Sequence, residues 1–313
     1  MIEVKNVTKK YGKVAAVEDI SFTIQEGEIV GLLGPNGAGK STTMNMITGF
    51  IEQTTGEIIV DGYDMLKKAK KAKKQIGYMP EGVPLYTDLT VKEFVSYMAE
   101  IKQVNKKERK EKVEKIIEQT GLKEVEKKLI RNLSRGYKQR VSMAGALVGE
   151  PKILILDEPT VGLDPKQITE IRNLIKELGK THTVILSSHI LSEVSQICNK
   201  VIIINKGKIV AIDTPENLEN KVTSNNSIYV TVEDLENKIQ SIHEKIKDIE
   251  KIKLVTENED GTKQYVIEAK NDVDLRKTIF AEFAKENITI FEMKKADTTL
   301  EDAFMKLIEG GEK

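Results

Sequence analysis

Tryptophan is absent from this 313-residue chain, cysteine occurs once, and 49 basic residues are cancelled by 49 acidic ones. A lone Cys198 cannot close an internal disulfide. Its apolar-periodic surroundings read as those of a small buried residue in a reducing compartment, not of a redox centre. Charge balance leaves no overall field to favour nucleic acid. No apolar run approaches the roughly 18 residues that cross a bilayer, and the chain opens directly on the strand-like Met1-Ile2-Glu3-Val4, so a soluble, unexported protein is expected. The missing tryptophan, beside plentiful Lys, Glu and Ile, fits growth at high temperature and an AT-rich genome equally. The length predicts about two domains and a substantial core.

What the sequence does have is concentrated in Gly34-Pro35-Asn36-Gly37-Ala38-Gly39-Lys40-Ser41-Thr42, which matches G-x-x-x-x-G-K-[ST] between an apolar strand-like run, Ile29 to Leu33, and a helical segment, Thr42 to Gly49. The glycines let consecutive backbone N–H groups point at phosphate oxygens, and the following helix turns its positive end to the same anion. Lys40 supplies a point charge for β- and γ-phosphates, and the Ser41 hydroxyl suits Mg²⁺.

Before this loop, three short alternating runs, Ile2 to Val7, Ala15 to Thr23 and Glu28 to Leu33, predict an antiparallel leaf. Tyr11, at a turn with Gly12, either packs locally or stacks on a purine. After the loop come a strand from Glu57 to Gly62 and a helix bearing six lysines between Lys67 and Lys74. That helix suits either a solvated face or lipid headgroups. A strand from Ile76 broken by Pro80 leaves Glu81 just past its end, where α/β folds gather active-site groups.

Residues 88–131 predict an all-helical insertion, with Thr90 as the N-cap of an apolar-periodic helix. Ser134 opens the next helix, either as a simple cap or, with Gly136, as a second anion site. The apolar strand from Lys152 to Leu156 delivers Asp157 and Glu158 at its end: one carboxylate to hold a Mg²⁺ shell, one to orient or deprotonate water. Gly162-Leu163-Asp164-Pro165 leads into a helix over Lys166–Leu178. The strand from Thr183 ends in Ser187-Ser188-His189, while His182 and His243 read as solvent-facing. A hairpin spans Val201 to Ile212, and Thr223–Asn226 reads as a linker. Beyond it the periodicity gives strand 227–233, helix 234–248, strands 250–256 and 263–269, helix 272–285, strand 288–294 and a last helix from about 298. Residues 222–313 hold 14 basic and 20 acidic residues, which leaves the first part near +6.

In order and spacing, these landmarks over residues 1–220 resemble the nucleotide-binding subunit of ATP-binding-cassette (ABC) transporters. The resemblance implies an α/β fold with a P-loop NTPase (RecA-like) core, an antiparallel β subdomain and a helical subdomain at about 88–150. These make an ATPase domain over 1–221. The alternation beyond it resembles the ferredoxin-like motif, a small α+β domain over 222–313 that reads as a dimer brace in preference to a regulatory ligand-binding module, because it has no glycine-rich loop, metal spacing or charged pocket pattern. The ABC resemblance implies nucleotide binding by Tyr11, Asn36, Gly37, Ala38, Gly39, Lys40, Ser41 and Thr42, and catalysis by Glu158 and His189. Mg²⁺, bound with ATP, falls to Ser41, Glu81 and Asp157. Ser134 and Gly136 are implied to contact the ATP held by a partner subunit, and Asp164 to lie in a loop at the dimer interface.

Two departures from the family pattern stand out. The signature reads Leu133-Ser134-Arg135-Gly136-Tyr137 where Leu-Ser-Gly-Gly-Gln is usual, and Glu81 replaces the usual glutamine. Both resemble the bacterial branch that serves separately encoded membrane subunits of drug, sodium, lipid or polysaccharide exporters, as does the ending Thr299-Leu300-Glu301-Asp302-Ala303-Phe304. The implied partners are ATP, an integral membrane subunit and a second copy of the chain, or a close relative of it. The implied location is the cytoplasm, at the inner face of the cell membrane. The alternative is a soluble ATPase of the same type acting on ribosomes or DNA. It is disfavoured because the chain has neither two cassettes nor a long coiled-coil insertion.

Overall fold

The computed structural model describes residues 1–82, 85–218, 227–233, 239–258, 261–270 and 273–295. Contacts divide the chain after Pro215. Residues 219–226, on both sides of the expected boundary, lie outside the described residues, as do the last predicted helix and the segment from Thr299 to Phe304.

The first unit contains two sheets. β1 (Ile2–Tyr11), β2 (Val14–Ile24), β4 (Thr55–Val60) and β5 (Tyr63–Asp64) form an antiparallel sheet in the order β2-β1-β4-β5. Two of the three runs expected in the leaf are here, as β1 and β2; the third, Glu28 to Leu33, belongs instead to the parallel sheet, and the leaf is completed by β4 and β5. A six-stranded sheet has the order β10-β9-β3-β8-β7-β6, from β3 (Ile29–Leu33), β6 (Ile76–Met79), β7 (Ile153–Leu156), β8 (Thr183–Ser188), β9 (Lys200–Asn205) and β10 (Lys208–Asp213). All its strands are parallel to their neighbours except β10, which returns antiparallel along the edge. β3 and β7, read as unbroken apolar runs, are buried at every residue, as strands covered on both faces must be.

Ile2, Ile24 and Ile58 of the leaf, Met44, Met46 and Ile47 of helix α1 (Lys40–Ile47), and Ile153, Ile155 and Ile185 of the parallel sheet belong to one apolar cluster. α1 is thereby fixed against both sheets, and the phosphate loop with it. The six-lysine segment contains the short helix α2 (Ala69–Lys74), which buries only Ala72.

The helical insertion comprises α3 (Val91–Ile101), α4 (Arg109–Gln119) and the start of α5 (Arg135–Leu147). α3 buries Val91, Phe94, Val95 and Ala99, but Ile101, the last residue of the expected apolar run, is exposed; α4 buries Val113, Ile116 and Ile117, the face expected from the spacing. α6 (Pro165–Gly179) and α7 (Leu191–Ser195) complete the unit's labelled helices.

The expected Val201–Ile212 hairpin is present as β9 and β10, and β9 also pairs with β3, which joins the hairpin to the main sheet. Ser187 and Ser188 are the last residues of β8, as expected. The expectation of a solvent-facing His182 is corrected: His182 is half-buried, its Nδ1 3.0 Å from the Leu178 carbonyl at the end of α6.

In the second unit β11 (Ser227–Glu233), β12 (Ile249–Glu257), β13 (Lys263–Ala269) and β14 (Thr289–Lys295) form a wholly antiparallel sheet in the order β12-β13-β11-β14. The helices Ile239–Lys245 and Arg276–Lys285 join β11 to β12 and β13 to β14. Each such pair of strands therefore has another strand between or beside it, the split-βαβ arrangement of the alternating pattern. Ile228, Val230, Val232, Ile242, Ile267, Ile279 and Phe283 form its core.

Candidate active site

The C-terminal ends of β3, β6, β7 and β8 lie along one edge of the parallel sheet. The residues that follow these ends are therefore gathered there, the usual position of ligands in open α/β sheets. A cavity of about 360 Å³ is lined by Ala16, Asn36, Gly37, Ala38, Gly39, Lys40, Ser41, Thr42, Glu81, Glu158, Val161 and His189. Every phosphate-loop residue expected to bind nucleotide borders it, as do Glu81, Glu158 and His189.

The loop follows from its glycines. Gly39 has φ +109° as the N-cap of α1, and a Cβ there would stand 2.9 Å from the Ala16 carbonyl oxygen. The helix therefore starts abruptly, with its first N–H groups open to the cavity and no acidic residue in its first turn. Lys40 is buried. Its Nζ donates to the Gly34 carbonyl at 2.7 Å and lies 3.6 Å from Glu158 Oε1.

The two carboxylates after β7 occupy different surroundings. Asp157 is 3 % exposed; its Oδ1 accepts from Ser187 Oγ at 2.6 Å and from Ser41 Oγ at 3.5 Å. Glu158 turns the other way because its backbone sits at φ +47°, the left-handed region that a side chain ordinarily avoids. Its N–H donates to Ser187 Oγ at 2.8 Å, and its Oε2 lies 3.0 Å from His189 Nδ1. Ser187 thus fixes both neighbours at once. Burial and the Asp157 charge push the Tyr78 phenol up to about 12, and that hydroxyl donates to Asn45 Oδ1 at 3.1 Å. Sequence reading gave Ser187 no role. A small hydroxyl at the end of the strand beside β7 was the available signal, but only the strand order makes it meaningful.

Five expected residues do not border the cavity: Asp157, which lies behind Ser41, and four others. Tyr11 ends β1 with 54 % of its surface exposed and Lys9 Nζ 5.2 Å from its ring centroid. Ser134 is the N-cap of α5, its Oγ accepting from the Tyr137 N–H, and Gly136 lies buried where a Cβ would meet the Gln167 side chain at 2.9 Å. Asp164 is the N-cap of α6, accepting from the Gln167 N–H at 2.9 Å. Gln139 Nε2 donates to the Pro159 carbonyl at 2.8 Å and so ties α5 to the loop after Glu158.

Comparison with known proteins decides the family. Residues 17–161 match the family described as ABC transporter, and residues 129–195 also match an AAA domain described as putative AbiEii toxin, Type IV TA system. The chain is 34 % identical to the linearmycin resistance ATP-binding protein LnrL of Bacillus subtilis (strain 168), over 98 % of both chains. It is also 34 % identical to the bacitracin transport ATP-binding protein BcrA of Bacillus licheniformis, over 99 % of this chain and 98 % of the relative. A solved dimeric, post-hydrolysis ATP-binding cassette bound to ADP and Pi superposes with a TM-score of 0.62 at 28 % identity, covering 69 % of this chain and 99 % of that one. The chain belongs to the ABC transporter ATP-binding family.

As an ABC ATPase it binds and hydrolyses ATP. ABC ATPases of this kind power membrane transporters. Among the described residues no helix is long and apolar enough to cross a membrane itself. The phosphate loop, Glu81, Glu158 and His189 border the cavity, while Tyr11, Ser134, Gly136 and Asp164 lie outside its lining, at the end of β1, at and just after the N-cap of α5, and at the N-cap of α6.

Proposed function

We propose that two copies close head to tail over two ATP molecules and drive a separately encoded membrane subunit of the exporter type at the inner face of the cell membrane. The observation that carries this reading is the division just described: the phosphate loop, Glu81, Glu158 and His189 share one cavity, whereas Ser134, Gly136 and Asp164 of the same chain stand away from it. A second copy supplies the missing contacts. Relatives matched over their full length and named for linearmycin resistance and bacitracin transport support an exporter.

In this reading Tyr11 stacks on adenine, the N–H groups of residues 36–42 hold the phosphates, and Lys40 moves from the Gly34 carbonyl to the β- and γ-phosphates. Glu158 aligns a water for in-line attack on the γ-phosphorus, and His189, 3.0 Å from Glu158, touches the same phosphate. The Ser41 hydroxyl and the Asp157 carboxylate form a pair of hard oxygen donors 3.5 Å apart, which fits Mg²⁺. The other ligands of such an ion would come from phosphate and water. Glu81 stands at the cavity wall as a further oxygen donor. The ion neutralises charge on the β- and γ-phosphate oxygens when bound.

The membrane subunit docks on the helical insertion. Tyr86 is half-exposed, edge-on to Tyr97 at 5.3 Å and 6.3 Å from Phe94, which gives α3 an aromatic outer face. Loss of the γ-phosphate removes the contacts that close the dimer, and the insertion passes that motion on. Glu158→Gln is expected to keep ATP affinity and lose turnover by about 10²-fold or more. Tagged, ATP-loaded Glu158→Gln protein should pull a polytopic membrane protein from detergent-solubilised native membranes. Recovery of ribosomes or DNA instead would refute the transporter reading.

A further inference from the structure

Arg135 occupies the place of a signature glycine and has no part in the function described so far. It is the first residue of α5, directly after Ser134, and no acidic residue shares its helical turn. A cation there opposes the positive end of the helix dipole, so the isolated chain gains nothing from its charge. Among the described residues Arg135 forms no hydrogen bond or ion pair. Its guanidinium lies on the backbone of Gly162, in the loop that begins at Glu158. A Cβ at Gly162 would stand 2.3 Å from the Arg135 Cζ and Nη1. A glycine, here at φ +69°, is what lets the guanidinium lie so close. Arg135 is therefore an unpaired cation that projects from the signature and is supported by a backbone.

The cavity has the complementary imbalance. Glu81 and Glu158 line it and Asp157 lies just behind Ser41, while Lys40 is the one lysine or arginine in the lining. In the usual family pattern Glu81 would be neutral. The geometry points to Arg135 as a catalytic residue supplied in trans: its guanidinium contacts the γ-phosphate oxygens of the ATP bound by the partner copy and offsets the charge of Glu81. Arg135 takes part in no bond change. Water oxygen bonds to the γ-phosphorus while the bond from that phosphorus to the β–γ bridging oxygen breaks, giving ADP and inorganic phosphate, and water's protons go to phosphate and solvent. The guanidinium stabilises the charge on the equatorial oxygens during that exchange, as a planar fork of donors is suited to do.

The inference rests on the head-to-tail arrangement proposed above, and the test separates the two. Full-length Arg135→Ala and Glu158→Gln chains carrying different tags are assayed alone and, after co-expression and purification through both tags, as the mixed dimer. Arg135→Ala alone should lose about tenfold or more in kcat while its KM for ATP stays within about threefold. Arg135→Lys, which keeps the charge, should recover part of that loss. In the mixed dimer one half-site joins the intact Glu158 of one chain to the intact Arg135 of the other, so activity should clearly exceed the sum of the two parents. A mixed dimer no more active than that sum places Arg135 in its own chain's site and overturns the inference, as does Arg135→Ala turnover within about twofold of the parent's. Failure of the head-to-tail reading has a different signature: addition of ATP would leave the self-association of the full-length Glu158→Gln chain unchanged.

Discussion

Ser187 shows how one hydroxyl sets a two-carboxylate site. It donates to Asp157 and accepts from the Glu158 N–H while wholly buried, so its removal leaves a buried carboxylate oxygen and a buried N–H each short of a partner. Such groups cost about 1–3 kcal/mol each when stranded. Ser187→Ala is expected to lower stability by about that amount and to raise the Mg²⁺ concentration needed for half-maximal ATPase activity, because Asp157 loses its orientation. A denaturation midpoint and a Mg²⁺ titration both unchanged from the parent would remove Ser187 from this role. Glu158, at φ +47°, is the other strained point of the site: the conformation that separates it from Asp157 is one a non-glycine residue accepts only when its surroundings hold it. Cys198 needs no such account, since burial pushes its thiol up and leaves it an unreactive packing residue.

Among the helices, end chemistry decides where each one starts and stops. Thr90 and Glu93 form a reciprocal capping box, with the Glu93 N–H donating to Thr90 Oγ1 at 3.2 Å and the Thr90 N–H donating to Glu93 Oε2 at 2.8 Å. Thr90→Ala should destabilise the protein by about 1 kcal/mol, read by chemical denaturation. At the far end of α5, Lys102 Nζ donates to the Ala146 and Val148 carbonyls at 3.1 and 2.8 Å, closing a helix that has no basic residue of its own in its last turn. Loss of water around that part-buried ammonium lowers its pKa from 10.5 to about 8. Between these values the unfolded chain holds a proton that the folded chain has released, so the Lys102 contribution to stability rises with pH across that window and is least favourable below it. The difference in denaturation midpoint between the parent and Lys102→Met should therefore increase from pH 8 to 10.5. A flat difference would mean that the ammonium is not desolvated in the fold.

For the whole molecule the open matter is the second unit, whose split-βαβ sheet has its own apolar core. Its sequence carries an acidic excess while the part before it is basic, and it has no glycine-rich loop or metal-ligand spacing of its own. We assign it the task of keeping two copies together once ATP is hydrolysed. Truncation after Leu218 should then leave ATP-dependent dimerisation of the Glu158→Gln chain in place but abolish self-association in ADP, measured by sedimentation. Equal self-association of full-length and truncated chains in ADP would count against the brace.

The sequence by itself determined the phosphate loop, the Asp157–Glu158 pair, the helical insertion with its Thr90 cap and the alternation of the second unit. Each depends on backbone dihedrals, caps or periodicity within a few residues, which local residue types dictate. Only the tertiary structure decided that β9 joins the main sheet and that Ser187 reaches Asp157 across 30 positions of sequence. The same holds for the burial of Gly136 under Gln167, the seating of Arg135 on Gly162, and the separation of Ser134 and Asp164 from the cavity. Those facts depend on which strand lies beside which and on where α5 meets the loop after β7. Contacts between distant segments are fixed by packing the whole sheet, and no local pattern encodes them.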